Sequence, residues 1–280
     1  MSRESDSVRA KINNFCKEND INNEVVIRLY FMERFLERVS VSSYNSNLIF
    51  KGGFLVSSMV SITTRSTKDL DATCKKIDCS ADNITKVITD ISEINLDDGV
   101  EFEFESIEEI IDRSNYGGYR VKIRGKLDKI SMPVEIDIST NDAITPSEIK
   151  YDHKLLFGDR SISIWTYNIE TVLSEKLHSI LYFSTETTRM RDFFDIYILQ
   201  KLRSWSIDYK LFAEAFKQTY IRRGREINFE TIVSIVNNIK NDEHFERDWR
   251  NFQRQNPYAS NVSWKTLLKF LEILVGYLKN

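Results

Sequence analysis

The strongest constraint on the fold is a change of hydrophobic period along the chain. In the N-terminal segments 5–18 and 23–39, apolar residues recur at helical spacing: Val8, Ile12 and Phe15, then Val25, Val26, Leu29, Phe35 and Leu36. Glu101-Phe102-Glu103-Phe104-Glu105 instead alternates strictly. So does Tyr119–Leu127, with Arg120, Lys122, Arg124 and Lys126 on one side. Strict alternation is the pattern of a half-buried strand, whereas recurrence every third or fourth position is that of an amphipathic helix. From Asn168 the helical pattern returns, with helices expected near 168–183, 190–203, 207–220, 227–240, 242–254 and 264–279. A chain patterned this way is α+β: N-terminal helices, a mixed-sheet core, then an all-helical C-terminal lobe. The expected division is 1–165 and 166–280.

Shorter elements fill the interval. Leu48–Lys51, Asp69–Thr73, Pro133–Ser139 and Ser161–Trp165 read as strands, Phe54–Ser61 and Ala81–Ile94 as helices, and Asn115–Gly118 as a turn. Asn22 or Asn23 suits a helix N-cap. With only 9 Gly and 3 Pro, irregular linkers are few. Cys16, Cys74 and Cys79 are odd in number and lack metal spacing, so reduced thiols in a cytoplasm are expected. No signal-peptide core is evident, and no run approaches the roughly 20 apolar residues of a membrane span. Leu267 to Leu278, interrupted by Lys269 and Glu272, reads as a core helix.

The formal net charge of -3 hides a local imbalance, because residues 78–112 carry twelve Asp/Glu and one Lys. Any contact with nucleic acid must therefore use a local basic surface. Paired antiparallel, Glu101, Glu103 and Glu105 would face Arg120, Lys122 and Arg124 as a salt-bridged surface. The other use of that basic face is phosphate binding. Lys217, Arg222, Arg223 and Arg225, with Tyr220 among them, form a second basic cluster, either an RNA-backbone contact or a solvated helix end.

Chemistry concentrates around Gly52-Gly53 and Asp69-Leu70-Asp71. On a strand, Asp69 and Asp71 point to the same side. Two carboxylates that close repel and call for a cation or a proton. Mg²⁺ carrying a nucleoside triphosphate suits them, since Mg²⁺ takes one or two carboxylates plus phosphate oxygens. The glycines let backbone N–H groups approach those phosphates. The plain alternative is a surface loop with solvated acids. Glu135-Ile136-Asp137 repeats the spacing. Asp137 would be a third metal ligand, completing a two-metal site, while Glu135 could pair with Arg120 or Lys122. Glu175-Lys176-Leu177-His178 supplies a lysine for phosphate, and Asp192 and Asp195 share one helical face. The plain alternatives are a solvated Lys176, a satisfied structural His178, and Arg189 and Arg191 that only pair with Asp192, Asp195 or Glu175.

Taken in order, these segments resemble the AbiEii/AbiGii toxin family of the DNA polymerase β-like nucleotidyltransferase superfamily. The resemblance rests on Tyr30–Arg38, Phe50-Lys51-Gly52-Gly53, Arg65–Asp71, Glu135–Ile138, Ser174–His178 and Arg189–Tyr197. It implies a bilobed nucleotidyltransferase whose helical lobe closes a cleft over the nucleotide. Gly52 and Gly53 would cradle phosphate, with Ser57 or Ser58 nearby. Asp69 and Asp71 would bind Mg²⁺, Arg65, Ser66 and Thr67 would touch phosphate, and Lys176 the triphosphate. The Asp192/Asp195 helix would complete the pocket. The superfamily's usual Gly-Ser is Gly-Gly here, which removes a hydroxyl contact. The resemblance further implies a toxin of a type IV toxin–antitoxin, abortive-infection phage-defence system. It would transfer nucleotides to an RNA acceptor such as the tRNA 3′ end, with a cognate antitoxin as partner. Its rivals are a small-molecule, antibiotic-type nucleotidyltransferase and a catalytically inactive RNA- or protein-binding module.

Overall fold

The computed structural model describes residues 3–111, 117–140, 142–224 and 228–279. Asn115 and Tyr116 of the expected turn and Arg225 of the basic cluster lie outside them. Two compact units emerge: Met1–Asn141 with Ile149–Thr166, and Asp142–Glu148 with Tyr167–Asn280.

The first unit begins with helices α1 (Arg3–Asn19) and α2 (Asn23–Val41). Asn22 caps α2, its side chain accepting the Glu24 N–H at 2.7 Å. The sheet strands are β1 (Leu48–Lys51), β2 (Asp69–Cys74), β3 (Glu101–Ile111), β4 (Gly117–Leu127), β5 (Ile130–Thr140), β6 (Ile149–Lys154) and β7 (Ser161–Thr166). They form one seven-stranded sheet in the order β3-β4-β5-β2-β1-β7-β6. Pairing is parallel for β2/β5 and β1/β7 and antiparallel elsewhere, so the sheet is mixed. Helices α3 (Gly52–Val60) and α4 (Ala81–Ser92) complete the unit.

Alternation decides which face is dry. Leu70, Ala72, Val121, Ile123, Val134, Ile136 and Ile138 are buried in one apolar cluster with Phe31, Phe35 and Leu36 of α2 and Ile84, Val87, Ile88 and Ile91 of α4. The intervening residues of β2, β4 and β5 therefore point to the opposite face, and these are the charged ones. Pro133 is tolerated within β5 because β2 pairs only with Glu135–Thr140, leaving no strand on that side at Pro133. Strand β6 went unread in the sequence, because Ile149-Lys150-Tyr151-Asp152-His153-Lys154 has too little apolar alternation to stand out.

The acidic and basic strands do pair antiparallel, but in a register that sequence alone did not reveal. A bulge between Phe104 and Ser106 shifts the ladder. Lys126 pairs with Glu103 at 2.6 Å, Arg124 with Glu105, and Lys122 with Glu108 at 3.6 Å. Arg120 turns elsewhere.

The cysteine expectation is corrected. Cys74 and Cys79 are joined by a disulfide, leaving buried Cys16 as the free thiol. The chain turns back after β2 and brings the two Cα atoms to 6.1 Å, within bridging range.

The second unit is helical: α5 (Ile169–Phe183), α6 (Met190–Arg203), α7 (Tyr209–Arg222), α8 (Phe229–Asn241), α9 (Glu243–Gln255) and α10 (Trp264–Gly276). Side-chain caps explain where most of them begin. Asn168, Asp208, Asn228, Asp242 and Ser263 each accept a backbone N–H of the first turn. Aromatic packing binds the helices together, with Phe193 and Phe245 against Trp264 and the Trp249 indole donating to the Val262 carbonyl at 2.7 Å. Helix α10 buries Leu267, Leu271 and Leu274, as a core helix should. No helix among the described residues is long and apolar enough to cross a membrane.

Candidate active site

Strand β1 runs directly into α3 through the diglycine. Gly52 adopts φ +60°, in the left-handed region, and a Cβ there would lie 2.0 Å from Asp71 Oδ2. Both the backbone conformation and the close approach thus demand glycine. A Cβ on Gly53 would lie 2.7 Å from the Arg65 guanidinium and 2.7 Å from the Thr67 hydroxyl. The first N–H groups of a helix have no partner within it. Here Asp71, from the neighbouring strand, meets that need: its Oδ2 accepts the Gly53 N–H at 3.1 Å. A carboxylate is also favoured at the positive end of the helix dipole.

Asp69 and Asp71 lie on the same face of β2, both half-buried. Thr67, itself buried, donates its hydroxyl to Asp69 Oδ1 at 3.1 Å. Arg65 is 1% exposed and donates to the Ser66 carbonyl at 3.0 Å. It therefore packs beneath the diglycine as a support. Ser57 is buried on α3, and Ser58 turns to His153 Nδ1 at 2.6 Å.

The parallel register sets Asp71 opposite Asp137 and Asp69 opposite Glu135, and Lys51 stands opposite Asp71 on the other side. Asp137 is bound to Arg120. Nε and Nη2 each donate to one of its oxygens at 2.7 Å. That hydrogen-bonded pairing, with the charges of Asp137, Glu135 and Asp69, raises the guanidinium further above its ordinary value, against a smaller opposing effect of burial. The sequence offered Arg120 or Lys122 to Glu135; the register sets Lys122 opposite Glu135 and Arg120 opposite Asp137. Among the described residues, no group of three or more His, Cys, Asp or Glu side chains is arranged to hold a metal ion. The pair Asp69 and Asp71 still suits a magnesium that arrives with phosphate oxygens, because such an ion needs only one or two protein carboxylates.

The second unit brings Lys176 of α5 together with Asp192 and Asp195 of α6. Its Nζ lies 2.7 Å from Asp192 Oδ1 and 3.0 Å from Asp195 Oδ2. Both acids are buried, Asp195 completely. Arg189 approaches Asp192 at 3.9 Å, and Arg223 approaches Glu175 at 3.8 Å. Buried His178 packs against Tyr182 and Tyr220. Tyr220 is buried and also packs on Phe216, so its ring belongs to the helical core rather than to a base-stacking platform.

The family described as nucleotidyl transferase AbiEii toxin, type IV toxin–antitoxin system, matches residues 34–269. The chain belongs to that family. As a member of the AbiEii family it is a nucleotidyltransferase, and a toxin of a type IV toxin–antitoxin system. Two solved structures from Helicobacter pylori share the fold. The protein JHP933 matches with TM-score 0.51 and 17% identity, over 92% of this chain and 94% of that one. A second, provisionally assigned as a nucleotidyltransferase, matches with TM-score 0.50 and 18% identity, over 92% and 96%. No curated protein shows significant similarity to the chain.

Sequence reasoning gave no role at the candidate site to two cations that the register sets beside its acids. Lys51 directly precedes the diglycine, which was an available signal. Arg120 was visible as one of four alternating cations and, with Lys122, as a possible partner of Glu135; nothing in the alternation points it to Asp137.

Proposed function

We propose that this AbiEii protein transfers nucleotides from a Mg²⁺-bound nucleoside triphosphate to a hydroxyl of an RNA acceptor, the tRNA 3′ end being the preferred candidate. The observation that carries the proposal is the placement of Asp69 and Asp71 on one face of β2, with Asp71 against the α3 N-terminus at the diglycine. Asp69 and Asp71 would hold the magnesium, with Thr67 fixing the orientation of Asp69. The diglycine at the positive end of α3 suits phosphate oxygens, with the Gly53 amide passing from Asp71 to phosphate once that carboxylate turns to magnesium. When bound, magnesium supplies charge neutralisation and acidifies the attacking hydroxyl. The acceptor oxygen bonds to the α-phosphorus, the bond to the bridging oxygen breaks, and pyrophosphate and a proton leave. Because the displacement depends on positioning and charge, no nucleophilic side chain is required. We further assign Lys176, Asp192 and Asp195 to this reaction on the family resemblance. Action in the cytoplasm, in abortive infection against phage and under a cognate antitoxin, belongs to the same proposal.

The test incubates purified protein with total RNA, Mg²⁺ and each α-labelled nucleoside triphosphate in turn. Label at tRNA 3′ ends is expected, and Asp71→Asn should reduce it at least about 100-fold. Label in small hydroxylated compounds but not RNA would favour the antibiotic-type reaction. No incorporation from any nucleotide would defeat the proposal.

A further inference from the structure

We propose that Arg120 is a built-in cation of the candidate site, so that the site takes one nucleotide-borne divalent ion on Asp69 and Asp71 and no second metal on Asp137. This inference rests on the proposed reading of Asp69 and Asp71.

The argument begins with the register. Asp71 on β2, Asp137 on β5, Arg120 on β4 and Glu108 on β3 are successive cross-strand partners. Asp69, Glu135 and Lys122 form the adjacent row. Cross-strand partners point to the same face of a sheet, so Asp69, Asp71, Glu135 and Asp137 form a block of four carboxylates on two neighbouring strands. Neighbouring strands lie only about 4.8 Å apart. Such a block needs positive charge nearby. A second metal on Asp137 is one way to supply it; a fixed guanidinium is another.

The geometry favours the guanidinium. Both Asp137 oxygens accept from Arg120 at 2.7 Å, a two-point arrangement that orients the carboxylate as well as neutralising it. Arginine does not lose its proton in proteins, so this charge does not titrate away. A divalent ion on Asp137 would have to share the carboxylate with a permanent cation and face its repulsion. The pair is also no core strut. The Arg120 side chain is 42% exposed and Asp137 23%, so the charge stands on the same open face as the β2 acids.

The experiment counts metal. Mn²⁺ is titrated into the full chain in the presence of a non-hydrolysable α,β-methylene nucleoside triphosphate, and bound ion is measured by electron paramagnetic resonance. The wild type should hold one protein-bound ion per bound nucleotide. Arg120→Met, which removes the guanidinium but keeps an unbranched apolar stem, should hold two. Arg120→Met combined with Asp137→Asn should return to one. Asp137→Asn alone should leave the wild-type value unchanged, and thermal melts check that each variant is folded. Two ions in the wild type, falling to one in Asp137→Asn, would overturn the assignment of Arg120 while leaving the nucleotide site standing. One ion in folded Arg120→Met would likewise overturn it. No protein-dependent ion at all would defeat both this inference and the reading of Asp69 and Asp71 beneath it.

Discussion

Each of the two units gathers carboxylates around a lysine or arginine, but on different scaffolds. In the helical unit Asp192 and Asp195 sit one turn apart on α6, buried, with Lys176 within 3.0 Å of both. In the sheet unit Asp69 and Asp71 are only half-buried. They meet the Thr67 hydroxyl and the Gly53 amide, while Arg120 binds their neighbour Asp137. Helix packing encloses charge, so the network must carry its own counter-charge. A sheet face presents alternate residues outward, so its acids stay within reach of a ligand. The first arrangement resembles a structural brace, the second a receptor.

The largest effect expected from this contrast is at Lys176. Lys176→Met would take from two buried acids the ammonium within 3.0 Å of both and should destabilise the fold by about 3–5 kcal/mol. Adding Asp192→Asn and Asp195→Asn should recover most of that loss in a thermal melt. If the triple variant also regains nucleotidyl transfer, the cluster is a brace only; continued inactivity in a restored fold would establish its catalytic part.

Gly52→Ala comes next. It places a side chain at φ +60° and into the Asp71 carboxylate. A loss of about 2–3 kcal/mol is expected, with transfer activity falling alongside. Unchanged stability and activity would show that the diglycine does not hold Asp71. The Cys74–Cys79 bridge pins the far end of β2, and the serine variant of either residue should cost about 2 kcal/mol for so short a loop. Equal melting temperatures with and without reductant would show that the bridge does not constrain the strand.

The smallest effect lies on the solvated edge. Lys126, hydrogen-bonded to Glu103, holds that carboxyl below its ordinary value. The pair therefore supports the fold above the ordinary carboxylate range and ceases to do so as pH falls through the lowered folded value. Lys126→Ala should move the Glu103 titration back up, as read by NMR, with no measurable change in melting temperature. A melt shift comparable with that of Lys176→Met would erase the distinction between enclosed and solvated charge.

Much of this was legible in the chain itself. The shift from alternation at Glu101–Glu105 to helical spacing beyond Asn168 fixed the α+β class, because each period buries only one kind of face. Gly52-Gly53 and Asp69-Leu70-Asp71 marked the candidate site, since local backbone chemistry and the alternation of a strand are written residue by residue. Tertiary structure alone decided which charges meet. The register of β3 on β4, shifted by the bulge after Phe104, set which glutamates lie within reach of Lys122, Arg124 and Lys126, and the order β4-β5-β2 gave Arg120 to Asp137. The same holds for the turn joining Cys74 to Cys79 and for the packing that buries Asp195 against Lys176. These are encounters between distant segments, and a one-residue slip of any strand would have exchanged its partners and its face together.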